Sequence, residues 1–431
     1  MSIFMGPRKT KKMISPNRRY LAISIMEGFP AVFVLQLLGG PFLTGYLLLL
    51  GATSSEIGFV LAITTLVNIV QIYAAVVMQK VTNRRLMLVI FGSLHRFLWT
   101  SVGLIPFLFA KEWWVLVYII LFTVAHICNA VTAVVWTSIM SDMVPAGVRG
   151  RYLGIRNTIH GAVASLALFI GGQILEYFPG EQGFNYLFII CAVASVLNTI
   201  AFAFYPNLPF ETSTESSPIK MIGKPLKDSI FIKAILFLSL WLFVQGITVP
   251  LFSYVMLKLM NISYQWISII TVVHMLVMMG SYILWGNLNA RYSTKTLLMW
   301  SLPIIACACL MWGTLLFLPA LLVLFMVHIV LGVGLGGFNQ MVFSFIIGDT
   351  PKSERPMYIA TYSAITGFAG FLGPLFGGWL YESLSGYPQW VQTYGVSVAI
   401  GILLMIIGIW LGRMVLKDPD EHAMKFHIKR S

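Results

Sequence analysis

Two charged side chains, Glu27 and Arg96, lie inside long apolar stretches of the sequence. A charge in the hydrocarbon core of a membrane costs at least about 2.5–3.5 kcal/mol, so each needs a partner or a function. At about 1.5 Å per residue, Glu27 lies about 10 Å beyond Tyr20 and Arg96 about 16 Å beyond Arg85, depths that let the two side chains meet. A carboxylate between apolar surroundings and a positive charge can exchange protons. We therefore predict Glu27 as a proton-coupling site with Arg96 as its partner. A static ion pair that holds the helices together is the alternative.

Polar and aromatic side chains recur at helical spacing in three further apolar stretches. Steps of three and four residues put each set on one helix face. Amides and aromatic rings that converge on an apolar cavity suit a small organic ligand. For any single residue, hydrogen bonding between helices is the simpler explanation. The predicted substrate-binding residues are His126, Asn129 and Trp136 in the fourth stretch, Trp241 and Gln245 in the seventh, and Asn339 and Gln340 in the tenth.

The composition is that of a membrane protein. Of the 431 residues, 58% are hydrophobic and only 10% are charged, against about 25% charged in soluble domains. A membrane-crossing helix needs about 20 apolar residues. Gly39, Gly40 and Pro41 interrupt the first apolar stretch, where we predict a kink or break. The sequence contains twelve such stretches, at 21–50, 54–78, 86–110, 113–140, 152–176, 184–206, 230–257, 264–288, 296–317, 320–347, 357–381 and 389–415.

Lysine and arginine are concentrated in alternate connections between these stretches. Of the 28 basic residues, 25 fall on the side that carries both termini, Lys111 and Lys258 fall on the other side, and Arg96 lies within a stretch. The positive-inside rule then places both termini in the cytoplasm of a multi-pass protein in the cell membrane. The net charge of +13 does not indicate nucleic-acid binding, because the basic residues are confined to these short connections.

The sequence divides into two halves. We predict a basic cytoplasmic tail at 1–19, a six-helix bundle at 20–206, a cytoplasmic linker at 207–229, a second bundle at 230–416 and a C-terminal tail at 417–431. Segments with the same orientation in the two halves match, as in transporters built from parallel repeats around a midplane site. At an offset of 206 residues, Arg149, Tyr152, Gly161, Gly171, Gly172 and Glu176 match Arg355, Tyr358, Gly367, Gly377, Gly378 and Glu382.

Two motifs resemble those of the major facilitator superfamily, and the resemblance covers essentially the whole chain. That family carries Gly-x-Leu-Ala-Asp-Arg-x-Gly-Arg-Arg-x-x-Leu between spans two and three and again between spans eight and nine. The second copy here keeps Gly286, Leu288, Arg291, Lys295 and Leu298 but has Ala290 at the acidic position, and the first keeps Arg84, Arg85 and Leu88 with Lys80 in place of the acid. The family string Gly-Pro-x-x-Gly-Gly occurs here in span eleven, at 373–378, and not in span five, so it does not predict export.

The resemblance implies an all-α membrane protein of twelve transmembrane helices, in two six-helix bundles related as parallel repeats. It also implies that charged residues in the cytoplasmic connections form a gate. The predicted gating residues are Arg84, Arg85, Asp142, Arg149, Arg151, Arg291, Lys295, Asp349 and Arg355.

We predict a secondary active transporter of a small organic solute, coupled to protons, in which the two bundles rock about a midplane site. We expect no enzymatic activity, no cofactor and no bound metal, because the sequence has no nucleotide-binding motif and its four cysteines lack metal-ligand spacing. The expected partners are the solute, protons and membrane lipid, with no nucleic acid, and the expected state is a monomer. The aromatic side chains favour efflux slightly. The alternatives are an uptake symporter for a polar nutrient such as a sugar, and a lipid flippase or non-transporting membrane protein.

Overall fold

The computed structural model describes residues 16–78, 81, 83–144, 146–207, 225–289, 291–348 and 355–416. The elements in these residues are all helical. Eleven helical stretches in this part of the chain are long and apolar enough to cross a membrane. The second span, broken by a short 3₁₀ turn into Ser54–Leu66, Val67–Ile69 and Val70–Met78, makes twelve. The predicted all-α fold of twelve transmembrane helices is confirmed.

The helices are numbered α1 to α12 in chain order. The first half contains α1 (Pro16–Leu37 and Gly40–Leu49), α2 (Ser54–Leu66 and Val70–Met78), α3 (Arg84–Ser101 and Ile105–Leu108), α4 (Trp114–Met143), α5 (Ala146–Tyr177) and α6 (Glu181–Ala203). The second half contains α7 (Ser229–Gly246 and Phe252–Tyr254), α8 (Tyr264–Asn289), α9 (Thr294–Leu310), α10 (Ala320–Gly348), α11 (Arg355–Ser383) and α12 (Val396–Ile406 and Gly412–Leu416).

Helix α1 breaks where the sequence predicts it. The first segment ends at Leu37, and Gly40 adopts a φ of 53°, a left-handed conformation that glycine adopts without steric cost. Pro41 occupies the first turn of the next segment, where its missing N–H costs nothing. The prediction of a kink or break in the first span is confirmed.

Large apolar side chains cover much of the outer surface. Phe317 is 83% exposed, and Tyr73, Phe107, Ile230 and Trp410 are also largely exposed. A water-facing surface would not carry so many exposed aromatic and aliphatic groups, whereas a lipid-facing surface requires them. The core therefore lies between the helices, and the perimeter faces the hydrocarbon.

The repeated glycines occupy equivalent places in the two halves. A methyl group added at Gly171 of α5 would lie 2.7 Å from Leu37 and Phe42 of α1, and one at Gly377 of α11 would collide with Ile247 at the end of α7. The first glycine of each pair thus packs against the first helix of its own half. The tyrosines also correspond, because Tyr152 donates to the Leu21 carbonyl of α1 and Tyr358 donates to Asp228 beside α7.

The second glycine of each pair faces the other half. A side chain at Gly172 would collide with Ser268 of α8, and one at Gly378 would collide with Ser54 of α2. Helices α5 and α11 therefore pair across the interface with α8 and α2. This pseudo-symmetric arrangement is the structural counterpart of the 206-residue repeat.

The two halves separate towards one side of the membrane. We call the side that carries Arg84, Arg85 and Arg291 the basic face, and the side that carries Lys111 and Lys258 the opposite face. Helix α2 starts at the opposite face, and its first segment, Ser54–Leu66, packs along α11 of the other half. The last segment of α2, Val70–Met78, packs mainly against α4 of its own half. At the opposite face the backbone N–H of Ser55 donates to Glu382 at 3.1 Å.

Three predicted segments lie partly or wholly outside the described residues. Residues 1–15 of the N-terminal tail and residues 208–224 of the linker are outside the description. The whole C-terminal tail, 417–431, is also outside. The boundaries proposed for the two bundles and the linker stay predictions.

Candidate functional site

The carboxylate of Glu27 is the centre of a buried polar network in the first half. Glu27 lies on α1, and the surrounding helices leave only 3% of the residue exposed. Asn198 of α6 donates its amide N–H to Oε1 at 3.1 Å, and the Tyr205 hydroxyl, just beyond the end of α6, donates to Oε2 at 3.1 Å. Both carboxylate oxygens therefore have a neutral donor at hydrogen-bond distance.

Arg96 of α3 reaches Glu27 through Asn198. Its Nε donates to Asn198 Oδ1 at 3.2 Å, while Asn198 Nδ2 donates to the Glu27 carbonyl and carboxylate. The predicted partners thus lie in one network, with an amide between them. The structure gives Arg96 an orienting role, because its bond to Oδ1 turns the amide N–H groups towards Glu27.

Arg156 of α5 is the second cation of the network. Its Nη2 lies 3.8 Å from Glu27 Oε2, too far for a hydrogen bond. Its Nε donates to the Ser24 carbonyl at 3.4 Å, and its guanidinium stacks on the Trp136 ring at 4.7 Å. Trp136 in turn donates to the Tyr205 hydroxyl at 3.1 Å. One predicted substrate-binding residue, Trp136, therefore belongs to the same network as Glu27.

The network lies in the half of the bundle nearer the basic face. Counted along their helices from the ends at the basic face, Glu27, Arg96 and Arg156 lie about 15–18 Å deep. Five helices supply its side chains, so its geometry depends on the packing of the whole first half. The role of Glu27 and Arg96 in proton coupling stays a prediction.

His126 lies in an aromatic cluster beside this network. Its ring stacks on Phe122 at 3.9 Å and lies edge-on to Trp99 at 4.9 Å and to His95 at 5.5 Å. Its Nδ1 hydrogen-bonds the Phe122 carbonyl. The structure therefore places His126 in the packing between α3 and α4, and its role in substrate binding stays a prediction.

The remaining predicted binding residues are spread over three helices. Trp241 of α7 is fully buried and donates to Gln245 Oε1 at 2.9 Å, so it packs within the second half. Gln340 of α10 and Asn129 of α4 are half-buried, and Asn339 is exposed. The structure does not bring the second-half residues into contact with the Glu27 network, and their binding role stays a prediction.

Sequence reasoning missed Asn198, Tyr205 and Arg156 as members of the network. An amide and a phenol are common in membrane helices and carry no charge, so they give no signal of their own. Arg156 is a basic residue close to a connection, which made it indistinguishable from the topogenic arginines around it. Its depth gave no signal either, because the apolar stretch begins at 152 and puts Arg156 only about 6 Å along it, whereas the helix itself begins at Ala146.

Comparison with known families decides the classification. A family model described as Major Facilitator Superfamily matches residues 20–349 and, in a second overlapping match, residues 242–427. The chain belongs to the major facilitator superfamily. The predicted resemblance is confirmed, and family membership indicates a transporter and not an enzyme.

Solved structures of the superfamily share this fold over nearly the whole chain. A variant of the nucleoside transporter NupG matches with a TM-score of 0.73 at 14% identity, covering 93% of this chain and 100% of that chain. A bacterial homologue of the iron transporter ferroportin matches with a TM-score of 0.67 at 15% identity, covering 93% and 98%. The xylose transporter XylE from E. coli matches with a TM-score of 0.66 at 12% identity, covering 90% and 96%.

Among the predicted gating residues of this superfamily member, Arg84 and Asp142 form an ion pair. Arg84 Nη2 lies 2.8 Å from Asp142 Oδ2, and its Nη1 donates to Ser138 at 2.6 Å. Arg84 is buried, with a side chain 1% exposed, whereas that of Asp142 is 43% exposed. This pair joins the start of α3 to the end of α4 at the basic face.

The other gating candidates are less well defined. Arg85 and Arg291 are exposed and Lys295 is half-buried. Asp349 lies outside the described residues, and the side chains of Arg149, Arg151 and Arg355 are also outside the description, although their backbones lie in α5 and α11. The gating role of all nine residues stays a prediction.

Proposed function

We propose that this protein is a secondary active transporter that couples the movement of a small polar organic solute to protons through Glu27. The observation that carries the proposal is the buried carboxylate itself, held by Asn198 and Tyr205 with Arg156 at 3.8 Å. Protonated Glu27 can donate to the Tyr205 oxygen and still accept from Asn198 once the Tyr205 hydroxyl turns its own hydrogen away, so both protonation states fit the same heavy-atom positions. A protein that needed only a static ion pair would gain more from a cation at hydrogen-bond distance.

The position of the network supports access from the basic face. The halves pack closely between Ser54–Leu66 of α2 and α11, and they separate along Val70–Met78. Several similar structures are described as inward-facing or inward open. We infer that the basic face is cytoplasmic, in keeping with the positive-inside rule, and that the present state is inward-facing in the cell membrane.

Polar solutes are the substrate class that we favour, and uptake by symport the direction. Proteins with this fold are described as a nucleoside transporter, a D-xylose-proton symporter and a homologue of peptide transporters. The expectation of efflux rested on aromatic side chains at a substrate site. One of them, Trp241, is fully buried within the second half, which weakens that expectation. A monomer is sufficient for this function, because one chain supplies both halves.

The test is solute flux into proteoliposomes that contain the purified protein. A panel of nucleosides, sugars, peptides and amphipathic compounds is offered with and without an imposed pH gradient. The proposal expects at least one polar solute to accumulate above its external concentration only when the outside is acidic. Proton-driven movement of amphipathic compounds in the opposite direction would replace symport by efflux. Flux that ignores the pH gradient for every solute would refute proton coupling.

A further inference from the structure

Arg156 has two terminal nitrogens that no acceptor in the described part of the chain engages at hydrogen-bond distance. Its closest carboxylate oxygen is 3.8 Å from Nη2, and only Nε makes a hydrogen bond, to the Ser24 carbonyl. A buried guanidinium normally uses its two Nη groups as a planar fork for a carboxylate or phosphate. Here the hydrogen bond from Nε to the Ser24 carbonyl and the Trp136 ring hold the guanidinium in place. The two Nη groups are left for another acceptor.

The charge balance of the network also favours an anion at Arg156. Arg96 and Arg156 bring two positive charges, and Glu27 brings one negative charge. Arg96 is committed to Asn198 through Nε. An excess positive charge in a low-dielectric interior is costly unless an anion compensates it. An anionic group of a bound solute would balance this charge.

Arg156 is also more accessible than Glu27. Its side chain is 12% exposed, against 5% for Glu27. Arg156 stacks on Trp136 of α4. Asn129 lies on the same side of α4, about 10 Å from Trp136 by the helical rise and nearer the opposite face of the membrane. A solute of that length could place an anionic group on Arg156 and a polar group near Asn129.

We propose that the transported solute carries a carboxylate or phosphate group that binds the Nη fork of Arg156 against the Trp136 ring. The bound anion pairs with the Arg156 guanidinium, which without solute is the cation nearest to the Glu27 carboxylate. Glu27 then accepts one proton from the water on the same side of the membrane, so one proton moves with each solute molecule. Arg156 thereby acts as a specificity-determining residue and links solute binding to proton uptake. This inference rests on the proposed proton-coupled transport.

Matched solute pairs that differ only in the anionic group test the proposal directly. Suitable probes are glucuronate with glucose, glycerate with glycerol, and uridine monophosphate with uridine. Binding is measured by the thermal stability of the purified protein, and flux by uptake into proteoliposomes under an inward proton gradient. At least one anionic member should stabilise and be transported at least about tenfold better than its neutral partner, the scale of one charge-assisted contact.

The variant Arg156→Gln should abolish that preference, and Arg156→Lys should recover only part of it, because an ammonium cannot form the fork. Arg413→Gln, which removes an exposed arginine at the end of α12, is the control for charge loss and should keep the preference. If Arg156→Gln does not fold, Arg156→Lys carries the test, because an undiminished anion preference in that variant would overturn the role of the guanidinium fork.

The outcomes separate this inference from the proposed function. Proton-driven uptake of neutral members, with no anionic member preferred, would overturn the anion site and leave proton coupling intact. A preference for anions that survives in Arg156→Gln would overturn the role of Arg156. Uptake of an anion with no dependence on the proton gradient would keep the anion site and overturn the coupling.

Discussion

At the residue scale, the network depends on the orientation of Asn198. Its Oδ1 accepts from Arg96 Nε at 3.2 Å, and its Nδ2 donates to Glu27 Oε1 at 3.1 Å. An amide so placed lets two opposite charges share a low-dielectric site without direct contact. Glu27 thereby keeps neutral donors on both oxygens, and the proposed coupling rests on this geometry.

Replacing Asn198 by alanine should destabilise the protein and reduce transport. The change leaves Arg96 Nε and Glu27 Oε1 without these partners, and each unsatisfied buried group costs about 1–3 kcal/mol, more when it is charged. The measurement is the melting temperature in detergent together with solute flux. Thr199→Ala, on the next residue of α6, is the control because it removes a neutral hydrogen bond to Ser93. It should cost only about 0.5–1.5 kcal/mol. Equal effects of the two variants would contradict the bridging role of Asn198.

The sequence indicates the charged members of this site but not their contacts. The cost of membrane burial singles out Glu27 and Arg96, and the helical spacing of α4 singles out Trp136. Which partners they meet depends on the rotation of α6 and α5 about their axes, which packing against α1 decides. Asn198 and Arg156 therefore become visible only once the helices are assembled.

At the element scale, the repeated glycines of α5 and α11 set the distance between the halves. A methyl group on Gly378 would lie 3.0 Å from the Gly58 Cα of α2 and would collide with the Ser54 carbonyl. Backbone atoms cannot move aside as a flexible side chain can. Close approach at the opposite face is therefore a property of these particular positions.

Gly378→Ala should hold the opposite face apart. Spin labels on Gln182 and Tyr387, both exposed at that face in different halves, report the separation by pulsed electron resonance. The variant should lengthen this distance and slow transport, because α2 and α11 can no longer close. Gly280→Ala, at a helical glycine with nothing within 4 Å of the added methyl, should leave the distance unchanged. An unchanged distance in Gly378→Ala would contradict the closure account.

Helix positions follow from the sequence more closely than helix interruptions do. The break in α1 is predictable because Gly39, Gly40 and Pro41 mark it. The 3₁₀ turn Val67–Ile69 in α2 and the π-helical turn Val255–Leu259 in α7 contain no glycine or proline that would mark them. Tertiary packing, and not local propensity, produces those two irregularities.

At the scale of the whole molecule, the charge asymmetry predicts the orientation in the membrane. By sequence, 25 of the 28 lysines and arginines are assigned to one side, the side of the Arg84 that pairs with Asp142, although Arg156 of this group lies in the buried network. Cells retain such segments on the cytoplasmic side. The same asymmetry explains why a strongly basic protein need not bind nucleic acid.

Cysteine labelling in intact cells measures that orientation. In a background without the four native cysteines, a membrane-impermeant maleimide should label Glu112→Cys, at the opposite face, from outside. Tyr292→Cys, at the basic face, should react only after the membrane is permeabilised. Both positions are exposed, so accessibility to the reagent depends on the side of the membrane. The reverse pattern would invert the proposed topology.

The most direct test of the central claim is proton-driven accumulation by the variant Glu27→Gln in proteoliposomes. Glutamine keeps the size of the side chain and can hydrogen-bond Asn198 and Tyr205, but it cannot exchange a proton. We predict that the variant equilibrates the solute without concentrating it under an imposed pH gradient, while Glu112→Gln, an exposed carboxylate, behaves as the wild type. Accumulation by Glu27→Gln at the wild-type level would contradict the assignment of Glu27 as the coupling site.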